Sequence, residues 1–158
     1  MWELDLIDVQ AFRKFNNNYK NLLTGIDVFS KFLHLIPLKS KTATAVRSAF
    51  LSVLKYPKYS KPLQRQTIGV RTDKGKEFLY RHFQNVLKRI VIQLQVCRNP
   101  DVKCSIIERA QRTIRDRLYK CFTYSNTNRF IDVLQKFVDA YNDTIHSTNG
   151  MAPSNLLI

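Results

Sequence analysis

Acidic residues are scarce in this chain of 158, only 12 in all, and three of them stand where chemistry could be done. Asp5 falls inside Trp2 to Val9 (WELDLIDV), whose β-branched and aromatic content reads as a strand. A carboxylate in a strand interior is costly unless a cation compensates it. Asp73 follows a later strand pattern, Gln66 to Arg71, in the run Thr-Asp-Lys-Gly-Lys, and ligand sites of α/β sheets gather at strand ends. Glu108 stands in the first turn of a long basic helix. Hard carboxylate oxygens on rigid elements suit divalent cations, and two such ions roughly 4 Å apart neutralise a phosphodiester and activate its attacker. Each acid also has a plainer reading. Asp5 could be salt-bridged, with Asp8 on the opposite face by strand alternation; Asp73 with Gly75 could be a turn. Ser105-Ile-Ile-Glu108 reads as a capping box, Ser105 the N-cap and Glu108 at N3.

Cations concentrate around these acids. Lys plus Arg number 26, for a formal net charge of +14. The net charge is +5 over 1–60, +10 over 61–127 and −1 over 128–158, which makes the middle block the expected footprint of a polyanion, nucleic acid first. Lys74, Lys76, Lys103, Arg109, Arg112 and Arg115 are its candidate phosphate contacts. The four glycines form neither GxGxxG nor GxxxxGK[ST], so no nucleotide cofactor is expected. Cys97, Cys104 and Cys121 are odd in number and make no CxxC, which argues against a disulfide framework or structural zinc and for a reducing, intracellular setting. No apolar run approaches the roughly 20 residues that span a bilayer. Glu3, Asp5 and Asp8 also break any signal-peptide pattern at the start, so no membrane partner is expected.

The elements that position these groups follow from periodicity. Trp2 to Val9, Tyr19 to Asp27 and Phe32 to Leu38 read as a β-meander. Thr42 to Leu54 sets Ala43, Val46, Ala49, Phe50 and Val53 on one helical stripe, ended near Pro57 and Pro62. A strand over 66–71, a helix over about 76–87 and the strand Ile90 to Val96 come next, and two helices close the chain. The first closing helix turns Ile107, Ala110, Ile114, Leu118 and Cys121 inward and leaves Glu108, Arg112, Arg115 and Tyr119 on another stripe. The second, about Asn128 to Thr144, carries Phe130, Leu134, Phe137 and Tyr141 on one face. At 44% hydrophobic content, the pattern β-β-β-α-β-α-β-α-α predicts one α/β domain over 1–158. Its mixed sheet of about five strands is flanked by helices, the opening hairpins antiparallel and the later strands parallel through crossovers.

These residues, taken as motifs, resemble a known family. WELD at 2–5, IDVFSKF at 26–32, TDKGKEF at 72–78, IIER at 106–109, YNDTIH at 141–146 and GMAP at 150–153 resemble the retroviral-type integrase catalytic core. The likeness is narrower still to integrases of Maverick or Polinton transposons and related retroelements. The resemblance implies an RNase H-like fold and a D,D-E triad of Asp5, Asp73 and Glu108 holding two Mg²⁺ (or Mn²⁺) ions. It also implies 3′-end processing and strand transfer on DNA, both transposon ends and target, by a homo-oligomer in the nucleus. It places Arg112 and Arg115 against the element's DNA end. The zinc module and C-terminal DNA-binding module of the family find no counterpart in 1–158, as expected for a fragment or truncated product. The chain departs from the family pattern in having 34 residues between Asp73 and Glu108, one fewer than usual. It also has Arg109-Ala110-Gln111-Arg112 after the acid, where an aromatic and then Asn are usual. A catalytically inactive, domesticated or degenerate nucleic-acid-binding module is the second reading these departures support.

Overall fold

The first strand, β1 (Trp2–Asp8), runs through the middle of the sheet, and its alternation sorts the molecule into two sides. Trp2 and Leu4 point one way, into a cluster with Leu23, Val46, Phe50, Val53, Val70, Phe78, Phe83 and Leu87. Ile7 points the other, into a cluster with Leu22, Ile26, Leu33, Ile107, Ala110, Ile114, Leu118, Phe130, Leu134 and Val138. A computed structural model describes residues 1–56, 68–72, 75, 78, 81–89, 92–96 and 104–156. In it β1 pairs antiparallel with β2 (Asn21–Asp27), which pairs antiparallel with β3 (Leu33–Leu38). On its other edge β1 pairs parallel with β4 (Ile68–Thr72), itself parallel to β5 (Ile92–Val96). The five-stranded order is β3-β2-β1-β4-β5, the expected mixed sheet. Helices α1 (Ala43–Leu54) and α2 (Arg81–Arg89) cover the first side; α3 (Ser105–Ser125) and α4 (Leu134–Asn142) cover the second.

Local chemistry sets most of the boundaries. Thr42 caps α1, its hydroxyl accepting from the Ala45 backbone N–H (3.3 Å). Asp8 accepts from the Gln10 backbone N–H (2.9 Å) where β1 gives way to a short 3₁₀ helix, Gln10–Phe15. Asn17 and Asn18 then take positive φ, 52° and 62°, a conformation asparagine tolerates; β2 accordingly starts at Asn21 rather than Tyr19. The second closing helix also starts later than its sequence pattern predicts, at Leu134 instead of Asn128. Buried Asn16 is the cause. Its side-chain carbonyl accepts from the N–H groups of Phe130 (2.7 Å) and Ile131 (3.1 Å), and its amide donates to the carbonyls of Phe12 (2.9 Å) and Asn128 (2.8 Å). The resulting inward face of α4 is Leu134, Val138 and Asn142, while Phe137 and Tyr141 sit half-buried beside it. The expected helix stop at Pro57 and Pro62 lies outside the described residues, as do positions 66–67, 76–77 and 90–91 of the expected later elements.

Candidate active site

The side of β1 that carries Ile7 also carries Glu3 and Asp5, because strand side chains alternate. Asp5 is half-buried, and its Oδ1 accepts from the Leu6 backbone N–H (2.7 Å). Asp8, exposed and committed to Gln10, does not share its place. Across the sheet Asp5 pairs with Thr24, which is fully buried. The Thr24 hydroxyl accepts from Gln111 Nε2 (3.4 Å) on α3. Two residues earlier on β1, Glu3 Oε2 accepts from the backbone N–H of Ile107 (2.9 Å). These two tethers bracket Asp5 from the strand side and Glu108 from the helix side, since Ile107 and Gln111 lie just before Glu108 and one turn after it. The fold therefore sets Asp5 and the opening of α3 on the same face of the sheet.

The expected capping box does not form. The N-cap of α3 is Cys104, which gives no side-chain cap, so Ser105 is already helical and Glu108 falls at the fourth position. Its N–H makes the first intrahelical bond, to the Cys104 carbonyl (3.1 Å). With Cys104 at the N-cap, the donor that a side-chain cap would serve is Ile107 N–H at the third helical position, and Glu3 on β1 accepts from it instead. Relieved of capping, the Glu108 carboxylate is exposed and makes no hydrogen bond or ion pair among the described residues.

Arg109, Arg112 and Arg115 are exposed along the same helix, as is Tyr119. Arg117, by contrast, donates to the Phe137 carbonyl (3.2 Å) and lies over the Tyr141 ring (6.0 Å), so it binds α3 to α4. The expected inward stripe holds for Ile107, Ala110, Ile114 and Leu118, while Cys121 is only half-buried and Gln111 takes a buried place in its stead. Asp73, Lys74, Lys76 and Lys103 lie outside the described residues. β4 is described as far as Thr72, which pairs with Leu4, the residue before Asp5. Among the described residues no three His, Cys, Asp or Glu gather as a metal cluster. Asp5 and Glu108 supply hard carboxylate oxygens of the kind Mg²⁺ takes, and both fit the donor set expected for it.

Two groups escaped the sequence reading. Buried Glu3 is one; alternation from Asp5 was the signal that places it on the site's side. Asn142 is the other: its carbonyl accepts from Leu33 N–H (2.8 Å) and its amide donates to the Leu33 carbonyl (2.9 Å), completing the free edge of β3. Just beyond it, His146 forms a backbone bridge to Met151 and has its pKa lowered by partial burial, then by Lys31 and Arg109.

The sequence signature of the integrase core domain matches residues 1–101, a range that takes in Asp5 and Asp73 and stops before Glu108. A transposon-derived protein of Caenorhabditis elegans is 32% identical over 145 residues, 92% of this chain and 48% of that protein. The Pol polyprotein of a radiation murine leukemia virus is 29% identical over 134 residues, 84% of this chain and 22% of that one. The chain thus spans about half the length of the first relative and less of the second. In fold it is similar to the HTLV-2 integrase catalytic core domain solved in complex with magnesium, with a TM-score of 0.74 at 19% identity, covering 99% of this chain and 95% of that one.

Proposed function

The chain belongs to the integrase core domain family, of transposon and retroviral type, and on that premise we propose that it is the catalytic core of a DNA-integrating polynucleotidyl transferase. The carrying observation is the bracket around Asp5 and Glu108, which sets two of the three acids on one side of the sheet although 102 residues of sequence separate them. Asp73, next after Thr72 in the sequence, is the third.

Asp5, Asp73 and Glu108 would hold Mg²⁺ or Mn²⁺, two ions, and bound there these supply charge neutralisation at the phosphodiester and activation of the attacking water or 3′-hydroxyl. The protein's own contribution is rigidity and charge. Asp5 has one oxygen held by Leu6 N–H, which fixes the orientation of its carboxylate on β1. Arg109, Arg112 and Arg115, free of the α4 contact that occupies Arg117, meet phosphates of the element end, with Lys74, Lys76 and Lys103 as further contacts. Action as a homo-oligomer on transposon ends and target DNA in the nucleus completes the reading.

A labelled duplex carrying an element end, incubated with the protein and Mn²⁺, tests it. Site-directed cutting near the 3′ end is expected, and it should be lost in Asp73→Asn and in Glu108→Gln. Cutting that persists in both variants overturns the reading. Salt-dependent binding with no cutting and no metal response instead assigns a silent DNA-binding module.

A further inference from the structure

We propose that Glu3 is a positioning residue of the transfer reaction, one buried carboxylate that sets α3 and β4 against β1. The proposal rests on the transferase reading above. Glu3 is 1% exposed. One of its oxygens accepts from Ile107 N–H at 2.9 Å, and the other lies 3.5 Å from Arg71 Nη1. A charge buried this far is expensive, and an apolar residue of similar size at a core position usually costs less. What the carboxylate provides is direction. Its acceptor meets the positive end of α3, where anions are favoured, and it serves a donor left open because Cys104 gives no side-chain cap.

Three elements converge on this group. Glu3 shares a strand face with Asp5, roughly 7 Å away along β1. Its bond to Ile107 holds the residue directly before Glu108. Arg71 is its cross-strand partner in the parallel pairing of β1 with β4, and it precedes Thr72, the last described residue of β4. Each segment bearing a proposed ligand is therefore referred to one side chain that touches no substrate itself. Misplacement of a reacting group by about 1 Å can cost on the order of a hundredfold in rate, so loss of this reference should fall on turnover and spare substrate affinity.

The test compares Glu3→Ala, Glu3→Gln and Arg71→Met with the unmodified chain. Amide hydrogen exchange is read at Ile107 and Glu108, and kcat and KM are read in Mn²⁺-dependent strand transfer with a pre-processed DNA end. Glu3→Ala should speed exchange at Ile107 about tenfold or more and lower kcat about 10- to 100-fold, with KM held within about twofold. Glu3→Gln keeps an oxygen acceptor for Ile107 but turns its amide nitrogen toward Arg71, so it should restore Ile107 exchange to within about threefold and leave kcat down roughly three- to tenfold, as in Arg71→Met. Unchanged exchange or unchanged kcat in Glu3→Ala overturns the proposal, and so does a glutamine variant as impaired as the alanine one. If Glu3→Ala does not fold, Arg71→Met decides: it leaves the Ile107 bond in place, should lower kcat roughly three- to tenfold, and an unchanged kcat overturns the role. An unmodified chain that transfers no strands, yet shows faster Ile107 exchange in Glu3→Ala, refutes the transferase reading alone and keeps Glu3 as the anchor of α3.

Discussion

The two sides of the sheet are built by different physics. The side under α1 and α2 is joined by apolar contact, with Phe50 and Phe78 meeting Phe83 tilted and edge-on in one cluster with Trp2, Leu4 and Val70. Gly25 belongs to this packing, since a Cβ there would meet Leu4 Cδ2 at 3.2 Å. The side under α3 and α4 has an apolar cluster of similar extent, but buried polar side chains run through it. Asn16 ties the Gln10–Phe15 turn to the α3–α4 connection, Asn142 ties α4 to the edge of β3, and Glu3 and Gln111 tie α3 to β1 and β2. Hydrophobic contact is non-directional and tolerates small slides, whereas a hydrogen bond fails within a few tenths of an ångström. The side that carries the candidate site is the one whose helices are held by direction.

This contrast can be broken from either side. Phe50→Ala should give the largest loss, about 3–5 kcal/mol in a denaturant titration, since a fully buried phenylalanine leaves a cavity. Amide exchange at the first turn of α3 should stay as it is once measured at matched stability. A polar group on the apolar side gives the next effect. His34, 7% exposed and ringed by Trp2, Phe32 and Tyr56, has its pKa lowered by burial from 6.5 to about 4. The unfolded chain therefore binds the extra proton across that interval. Stability is full above pH 6.5 and declines as pH falls toward 4, by about 3 kcal/mol in all. His34→Phe should remove that share of the acid sensitivity, seen as the difference between the two unfolding curves at pH 7 and pH 4; identical acid sensitivity in both contradicts it. The smallest effect belongs to the exposed arginines. Arg112→Ala should leave folding within about 0.5 kcal/mol and lower the slope of log Kd against log salt for DNA by about 1. An unaltered slope removes Arg112 from the footprint.

Sequence patterns showed the sheet because alternation and helical stripes are local, and the same is true of α1 with Thr42 before it and of the exposed row Glu108, Arg112, Arg115 on α3. What they missed is long-range. Ser105-Ile-Ile-Glu108 has every local mark of a capping box, yet the acceptor for Ile107 comes from Glu3, 104 residues earlier. The start of α4 was misjudged for the same reason: helical periodicity runs through Asn128–Val133, but Asn16 holds the N–H groups of Phe130 and Ile131 in a turn. Asn142 stands in the YNDTIH motif, and nothing near it in sequence points to the Leu33 edge it completes. Asp5 was legible by type and strand position, and its separation from Asp8 follows from alternation alone.

Asp5 and Glu108 are proposed to serve one cation site. Titrating Mn²⁺ into isotopically labelled protein tests this most directly, because its unpaired electrons broaden nearby amide resonances. The amides of Leu4–Leu6 and Ile107–Arg109 should broaden together at the same metal concentration, and both effects should vanish in Asp5→Asn. Broadening confined to one segment, or persisting at Ile107–Arg109 in Asp5→Asn, contradicts it.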